Sequence, residues 1–270
     1  MYGQSQGSAL KRKQNQEKPV KVNPISITLS ALALLALGAP VQASQMDRRI
    51  ESSARQSHVF QTYLKKDDIK IHSGNGAVAL TGVVSENFHK SLAGETVAGL
   101  PGVKRVDNRL EIAGASPTPN SDAWLRDKVK VALLFHRRVS AVATEVEVSD
   151  GIVTLRGEAA NQAQKELTSE YAKDVDGIKG VKNEMIVSAT AEKAPRSVGE
   201  KIDDASVTAQ VNMTLLNHRS TSVINTTVRT KRGVVTVGGE AKNAAEKVLV
   251  GKLVADINGV KGVKNRMTVR

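Results

Sequence analysis

The sequence predicts an α+β protein made of three tandem copies of one small α-β-β-α-β unit, each a three-stranded mixed sheet with two helices on one face. Three observations predict this. Gly76, Gly151 and Gly233 are separated by 75 and 82 residues, and Gly102, Gly177 and Gly259 repeat the same two spacings, so whole units were duplicated in one register. Within each unit the apolar period changes from helical to alternating and back. Two small, polar, proline-bearing stretches, 113–121 and 188–200, act as linkers. The units are therefore 46–113, 121–188 and 200–270.

Each unit opens with a helix whose apolar stripe steps by four: Ile50, Ala54 and His58, then Leu125, Val129 and Leu133, then Val207, Val211 and Leu215. Asp47, Asp122 and Asp204 precede the stripes, where an acidic side chain caps a helix N-terminus and complements its dipole. An alternating strand follows, as in EVEVS at 145–149, and then a turn read as GNG, SDG or KRG. Its glycines, Gly76, Gly151 and Gly233, suit the positive φ of a hairpin. The second strand is rich in β-branched residues and ends at Gly82, Gly157 or Gly239. A second helix carries Ala163, Leu167, Tyr171 and Val175, or Ala245, Leu249, Leu253 and Ile257, and is expected to stop at Gly177 or Gly259. Gly102 is the counterpart in the first unit. A third strand, KNEMIV or KNRMTV, closes the unit, and the right-handed crossover leaves both helices on one face. The first unit diverges most, with His58 on the apolar stripe and Arg105 where the others have glycine. A unit of about 70 residues supplies only a few kcal/mol of core stabilisation, so packing between repeats is expected.

Composition limits the chemistry. With no cysteine there is no disulfide framework, thiolate metal site or thiol nucleophile, and 3% aromatic residues argue against stacking platforms. A net charge of +12 favours anionic partners. Residues 1–24 are basic, 25–39 form an apolar run too short to span a bilayer comfortably, and Val41-Gln42-Ala43 suits signal peptidase. The expectation is a signal peptide at 1–43 and a periplasmic protein, the alternative being an inner-membrane anchor at 25–39. Removal of 1–43 would lower the net charge to +8. Export argues against a nucleic-acid partner.

The pattern V-x-V-x-x-G-x-V-x-L-x-G between two helices, with G-V-x-x-V-x-N after the second, resembles the BON (bacterial OsmY and nodulation) domain family. The best matches are VEVSDGIVTLRGEA with VDGIKGVKNEMIV, and KRGVVTVGGEA with INGVKGVKNRMTV. The resemblance covers roughly 46–270 and is weaker over 46–113, where GAVALTG and LPGVKRVDNRL still fit. It implies an osmotic-stress protein of the envelope that associates with phospholipid and supports envelope integrity. A second implied role is chaperone-like holding of unfolded chains or of other envelope proteins. The family supplies no catalytic residues.

The residues themselves show no enzyme signature. Histidines at 58, 72, 89, 136 and 218 lack ligand spacing, so no metal or cofactor is expected. His136 and His218 correspond between repeats and are expected on the surface at the end of the first helix, where a cation suits the dipole. Two features are candidates for binding. The third unit has 12 Lys and Arg against 6 Asp and Glu, including Arg229, Lys231, Arg232, Lys261 and Lys264, which can contact anionic lipid or simply keep the surface solvated. Trp124, the single tryptophan, shares a helical face with Lys128, Val131 and Phe135, suited either to a membrane interface or to packing on a neighbouring repeat.

Overall fold

A computed structural model describes residues 45–114, 116–141, 143–188, 201–221 and 226–270. The expected leader at 1–43 and most of the 188–200 linker lie outside the described residues. Repeat 1 contains α1 (Gln45–Gln56), α2 (His58–Thr62), β1 (Asp68–Gly74), β2 (Ala77–Val84), α3 (Asn87–Ala98), β3 (Arg105–Asn108) and β4 (Glu111–Ile112). Repeat 2 contains α4 (Asp122–Leu134), β5 (Thr144–Ser149), β6 (Ile152–Ala159), α5 (Gln162–Lys173), β7 (Gly180–Asn183) and β8 (Ile186–Val187). Repeat 3 contains α6 (Asp204–Asn217), β9 (Thr226–Lys231), β10 (Val234–Ala241), α7 (Ala244–Ala255), β11 (Gly262–Asn265) and β12 (Thr268–Val269).

The second strand of each repeat is the central one. In repeat 2, β6 pairs antiparallel with β5 on one side and parallel with β7 and β8 on the other. The hairpin turns have positive φ at both residues, for example Asp150 at 53° and Gly151 at 79°. The expected third strand is real but comes in two pieces, and an asparagine divides it. Asn183 accepts from Met185 N at 3.0 Å and donates to Lys165 O at 2.7 Å, so it takes a ladder position and ties the strand to α5. Asn108 and Asn265 repeat both bonds.

Two helix boundaries differ from expectation. The first helix of repeat 1 breaks at Ser57, whose hydroxyl accepts from Phe60 N, so His58 starts a separate short helix instead of extending the stripe. The second helix ends before its expected glycine, with Asp174 and Asp256 as C-caps. Gly177 lies in the following turn at φ 93°, and a Cβ there would sit 2.8 Å from Leu125 Cδ2. Its role is to let the turn approach α4. At Gly157, φ 114°, a Cβ would fall 2.0 Å from Ala143 O, a close strand approach that only glycine permits.

The three aspartates clamp the hairpins and do not serve as N-caps. Ser121 and Asp203 cap α4 and α6. Asp122 accepts from Asp150 N and Gly151 N at 2.8 and 2.9 Å, and Asp204 from Arg232 N and Gly233 N at 2.7 and 2.8 Å. Buried Asp47 accepts from Ser73 Oγ, Asn75 N and Gly76 N.

The described residues form one compact unit in which the cores do not follow chain order. Repeat 2 closes its own core around Leu125, Val129, Val153, Leu155 and Met185. Repeats 1 and 3 share a single continuous core, into which α4 of repeat 2 inserts Val131 and Phe135. Helices α3 and α6 pack so closely that a Cβ on Gly99 would lie 3.3 Å from Ala205 Cα. His58 N and Val59 N donate to Asp203 Oδ2 and Ser206 Oγ at 2.8 and 3.1 Å.

Candidate functional site

Repeats 2 and 3 meet through equivalent residues related by a local two-fold. His136 bridges Ile257 while Val175 bridges His218. Arg137 N donates to Asp256 O at 3.0 Å, and its counterpart Arg219 N donates to Asp174 O at 2.9 Å. His136 Nδ1 lies 3.3 Å from Asp256 Oδ2, and His218 Nε2 lies 3.5 Å from Asp174 Oδ2. The two histidines are thus interface residues whose side chains are almost fully enclosed, contrary to the expected surface position. Sequence reasoning saw them correspond but had no means of showing that they face each other's repeats.

The two halves differ in detail. The His136 ring stacks on Tyr171 with centroids 3.7 Å apart, and the Tyr171 hydroxyl donates to Asp256. Burial pushes the Asp256 carboxyl up, but the adjacent His136 ring, the Tyr171 hydroxyl bond and the charge of Arg138 outweigh it and hold the group below its ordinary value. Burial raises the Tyr171 phenol, helped by the Asp256 carboxylate. Burial likewise lowers His218, against the attraction of Asp174. Such a cluster joins repeats and offers no open site for substrate.

The expected Trp124 face is divided by the fold. Val131 and Phe135 are buried in the core between repeats 1 and 3, with Tyr63 edge-on to Phe135 at 5.5 Å, which removes both from any lipid-facing surface. The physical reason is that α4 has a wide apolar face covered by two different cores. Trp124 and Lys128 remain half-buried at the surface, with Lys128 Nζ 4.4 Å from the indole centroid. Burial lowers the Lys128 ammonium, partly offset by Asp176.

The basic residues of repeat 3 are better assembled. Arg229 on β9 pairs with Thr236 on β10, which pairs with Lys264 on β11, so the two cations occupy one cross-strand row on the exposed sheet face. Lys231 lies two residues along from Arg229 on the same side. Arg232 and Lys261 gather at the hairpin end, where the Lys261 stem passes 3.0 Å from a Cβ placed on Gly233. None of these side chains is paired with a carboxylate among the described residues. On the corresponding face of repeat 2 the arginine is internally paired, Arg156 being bonded to Glu147 and Glu184 at 2.5 and 2.9 Å.

A groove of about 740 Å³ runs between repeat 1 and α6, lined by Val103, Lys104, Arg105, Val106, Met213 and Leu216, with the edge strand β3 along one wall. Leu216 is 58% exposed there. No group of three or more acidic or histidine side chains suited to a metal ion occurs among the described residues, and none of their helices is long and apolar enough to cross a membrane.

Comparison with known proteins agrees with the repeated architecture. The pattern of the BON domain matches residues 47–114, 121–189 and 203–270. The chain is 29% identical over 143 residues to osmotically-inducible protein Y of Escherichia coli (strain K12), spanning 52% of this chain and 71% of that protein. Two solved structures of CdsD, a structural protein of the type III secretion system of Chlamydia trachomatis, share 17% identity at a TM-score of 0.22. They cover 85% and 83% of this chain and 100% and 91% of their own. With the family pattern found three times, and each copy folding as the same mixed sheet and helices, the chain belongs to the BON domain family as a protein of three tandem repeats.

Proposed function

We propose that this protein is a non-enzymatic, exported component of the periplasm that binds anionic phospholipid surfaces and supports envelope integrity under osmotic stress. The observation that carries the reading is the exposed sheet face of repeat 3, where Arg229, Lys231 and Lys264 stand together without acidic partners among the described residues. A flat sheet face can lie against a bilayer, and each such cation contributes on the order of 1 kcal/mol near an anionic membrane. Trp124 and Lys128 provide a second, smaller contact of the kind that rests at headgroup level.

Co-sedimentation of residues 44–270 with phosphatidylglycerol or phosphatidylcholine vesicles at low salt tests the proposal. Anionic vesicles should be preferred, and the preference should weaken with salt. Changing Arg229, Lys231 and Lys264 together to Glu should reduce affinity by about 100-fold or more, since roughly 3 kcal/mol of attraction is removed and repulsion added. Equal binding to neutral and anionic vesicles would sink the reading. A second reading, the holding of unfolded or partner chains, is favoured by the groove beside β3, which exposes Leu216, and suppression of substrate aggregation without lipid would support it.

A further inference from the structure

Repeat 2 shows what the outer sheet face can do at one particular place. Arg156 stands on the central strand, Glu147 reaches it diagonally from β5 and Glu184 directly from the chain after β7, at 2.5 and 2.9 Å. Two flanking side chains therefore converge on one group above the middle strand. Repeat 3 preserves this frame: Arg266 N bonds to Val237 O at 2.7 Å as Glu184 N bonds to Leu155 O at 2.8 Å, and Gly238 faces Thr227 as Arg156 faces Glu145.

The side chains in that frame are inverted. Glu147 becomes Arg229, Glu184 becomes Arg266, and the arginine between them becomes Gly238. Gly238 is not among the glycines with positive φ, so its backbone does not demand glycine. A Cβ there would instead meet Thr227 Oγ1 at 2.9 Å, which puts a hydroxyl at the floor of the vacated space. Neither guanidinium has a carboxylate partner among the described residues, and nearby Glu240 is held by Arg270 Nε at 2.9 Å. Repeat 1 has His72, Thr81 and Arg109 at these positions, and Arg109 is occupied by Asp107.

We infer that repeat 3 carries a binding site for a phosphate-like oxyanion, seated over Gly238 between Arg229 and Arg266. The inference rests on the reading of this face as the docking surface. Where repeat 2 holds one cation between two anions, repeat 3 holds two cations around a gap, and the charge complement of that gap is an anion. Two guanidinium forks match the several acceptor oxygens and the negative charge of a phosphate, whether diester or free. The group can belong to a lipid headgroup or to a soluble phosphate.

The test is an NMR titration of the protein with inorganic phosphate at constant ionic strength, with sub-micellar short-chain phosphatidylglycerol and phosphatidylcholine as parallel arms. Saturable shifts are expected at Thr227, Arg229, Gly238 and Arg266 and not at Glu145, Glu147, Arg156 and Glu184. Gly238→Glu, which mirrors the arrangement of repeat 2, should abolish saturation while leaving the protein folded, with Thr227 turning aside from the new Cβ. Saturation by phosphatidylglycerol but not inorganic phosphate assigns the site to lipid headgroups, and the reverse assigns it to soluble phosphate. Non-saturating shifts spread over all cations, or saturation unchanged in Gly238→Glu, overturn the inference. Vesicle binding that persists alongside that result leaves the surface reading intact. A saturable phosphate site without vesicle binding retains the site and defeats the surface reading.

Discussion

Replacing Phe135 by Ala tests whether the three repeats are interlocked as their cores suggest. The side chain leaves from repeat 2 but is fully buried in the core shared by repeats 1 and 3, edge-on to Tyr63. Removing a buried phenylalanine costs about 3–5 kcal/mol, to which a well-placed aromatic partner contributes roughly 0.5–1.5. For a unit of this size that corresponds to a fall of about 10 °C in the midpoint of the affected core. The single tryptophan, Trp124, packs on the core of repeat 2, so its fluorescence reports that core while circular dichroism reports all three repeats. Phe135→Ala should lower the dichroism midpoint and move the fluorescence midpoint less, separating two transitions. Leu155→Ala, confined to the repeat 2 core, should shift the fluorescence midpoint first. If Phe135→Ala moved fluorescence first, or left dichroism unchanged, the cores would not be divided in this way.

Other outcomes follow from single contacts. Asp47→Ala should cost about 3 kcal/mol, more than Asp122→Ala, because it strands three donors at a buried site instead of two nearer the surface, as urea titration would show. Gly177→Ala should cost about 1–3 kcal/mol, since φ is 93° and Leu125 stands in the way, whereas Gly114→Ala, with open space around it, should cost less. Acid should loosen the contact between repeats 2 and 3. His218 is held below its ordinary 6.5 by burial, with Asp174, Arg219 and His136 as its charged surroundings, so the unfolded chain takes up the proton first and stability falls as pH drops below about 6.5. Asp256, held below 3.8, adds a loss in the same direction at lower pH. A His218→Gln variant should flatten the first of these steps in midpoints measured between pH 7.5 and 5.

The parts of this fold that were readable in advance are those written in local periods. Paired glycine spacings exposed the repeats, and turn chemistry exposed the hairpins at Gly76, Gly151 and Gly233. What escaped depends on residues far apart in the chain. Asp122 looks like a helix cap because its spacing to the stripe is right, yet its acceptors are used by a hairpin 28 and 29 residues on. Asn183 carries no hydrophobic signal, so its division of the third strand was invisible. The wide apolar face of α4 was evident, but only the packed structure distinguishes Leu125 and Val129, which serve one core, from Val131 and Phe135, which serve another. At the candidate site the basic bias of repeat 3 was plain from counting. The row of Arg229, Thr236 and Lys264 required the strand register.

The shared core of repeats 1 and 3 also has a consequence in time. Contacts such as Val59 with Ser206 close a loop of 147 residues, so repeat 1 cannot complete its core until residues 201–270 have been made. A chain emerging from its N-terminus thus holds an open apolar sheet while repeat 2, with its own core, can already fold. Contacts this distant slow folding and prolong the exposure of apolar surface. A chain cut after repeat 2 would accordingly be one folded unit with an unfinished one attached.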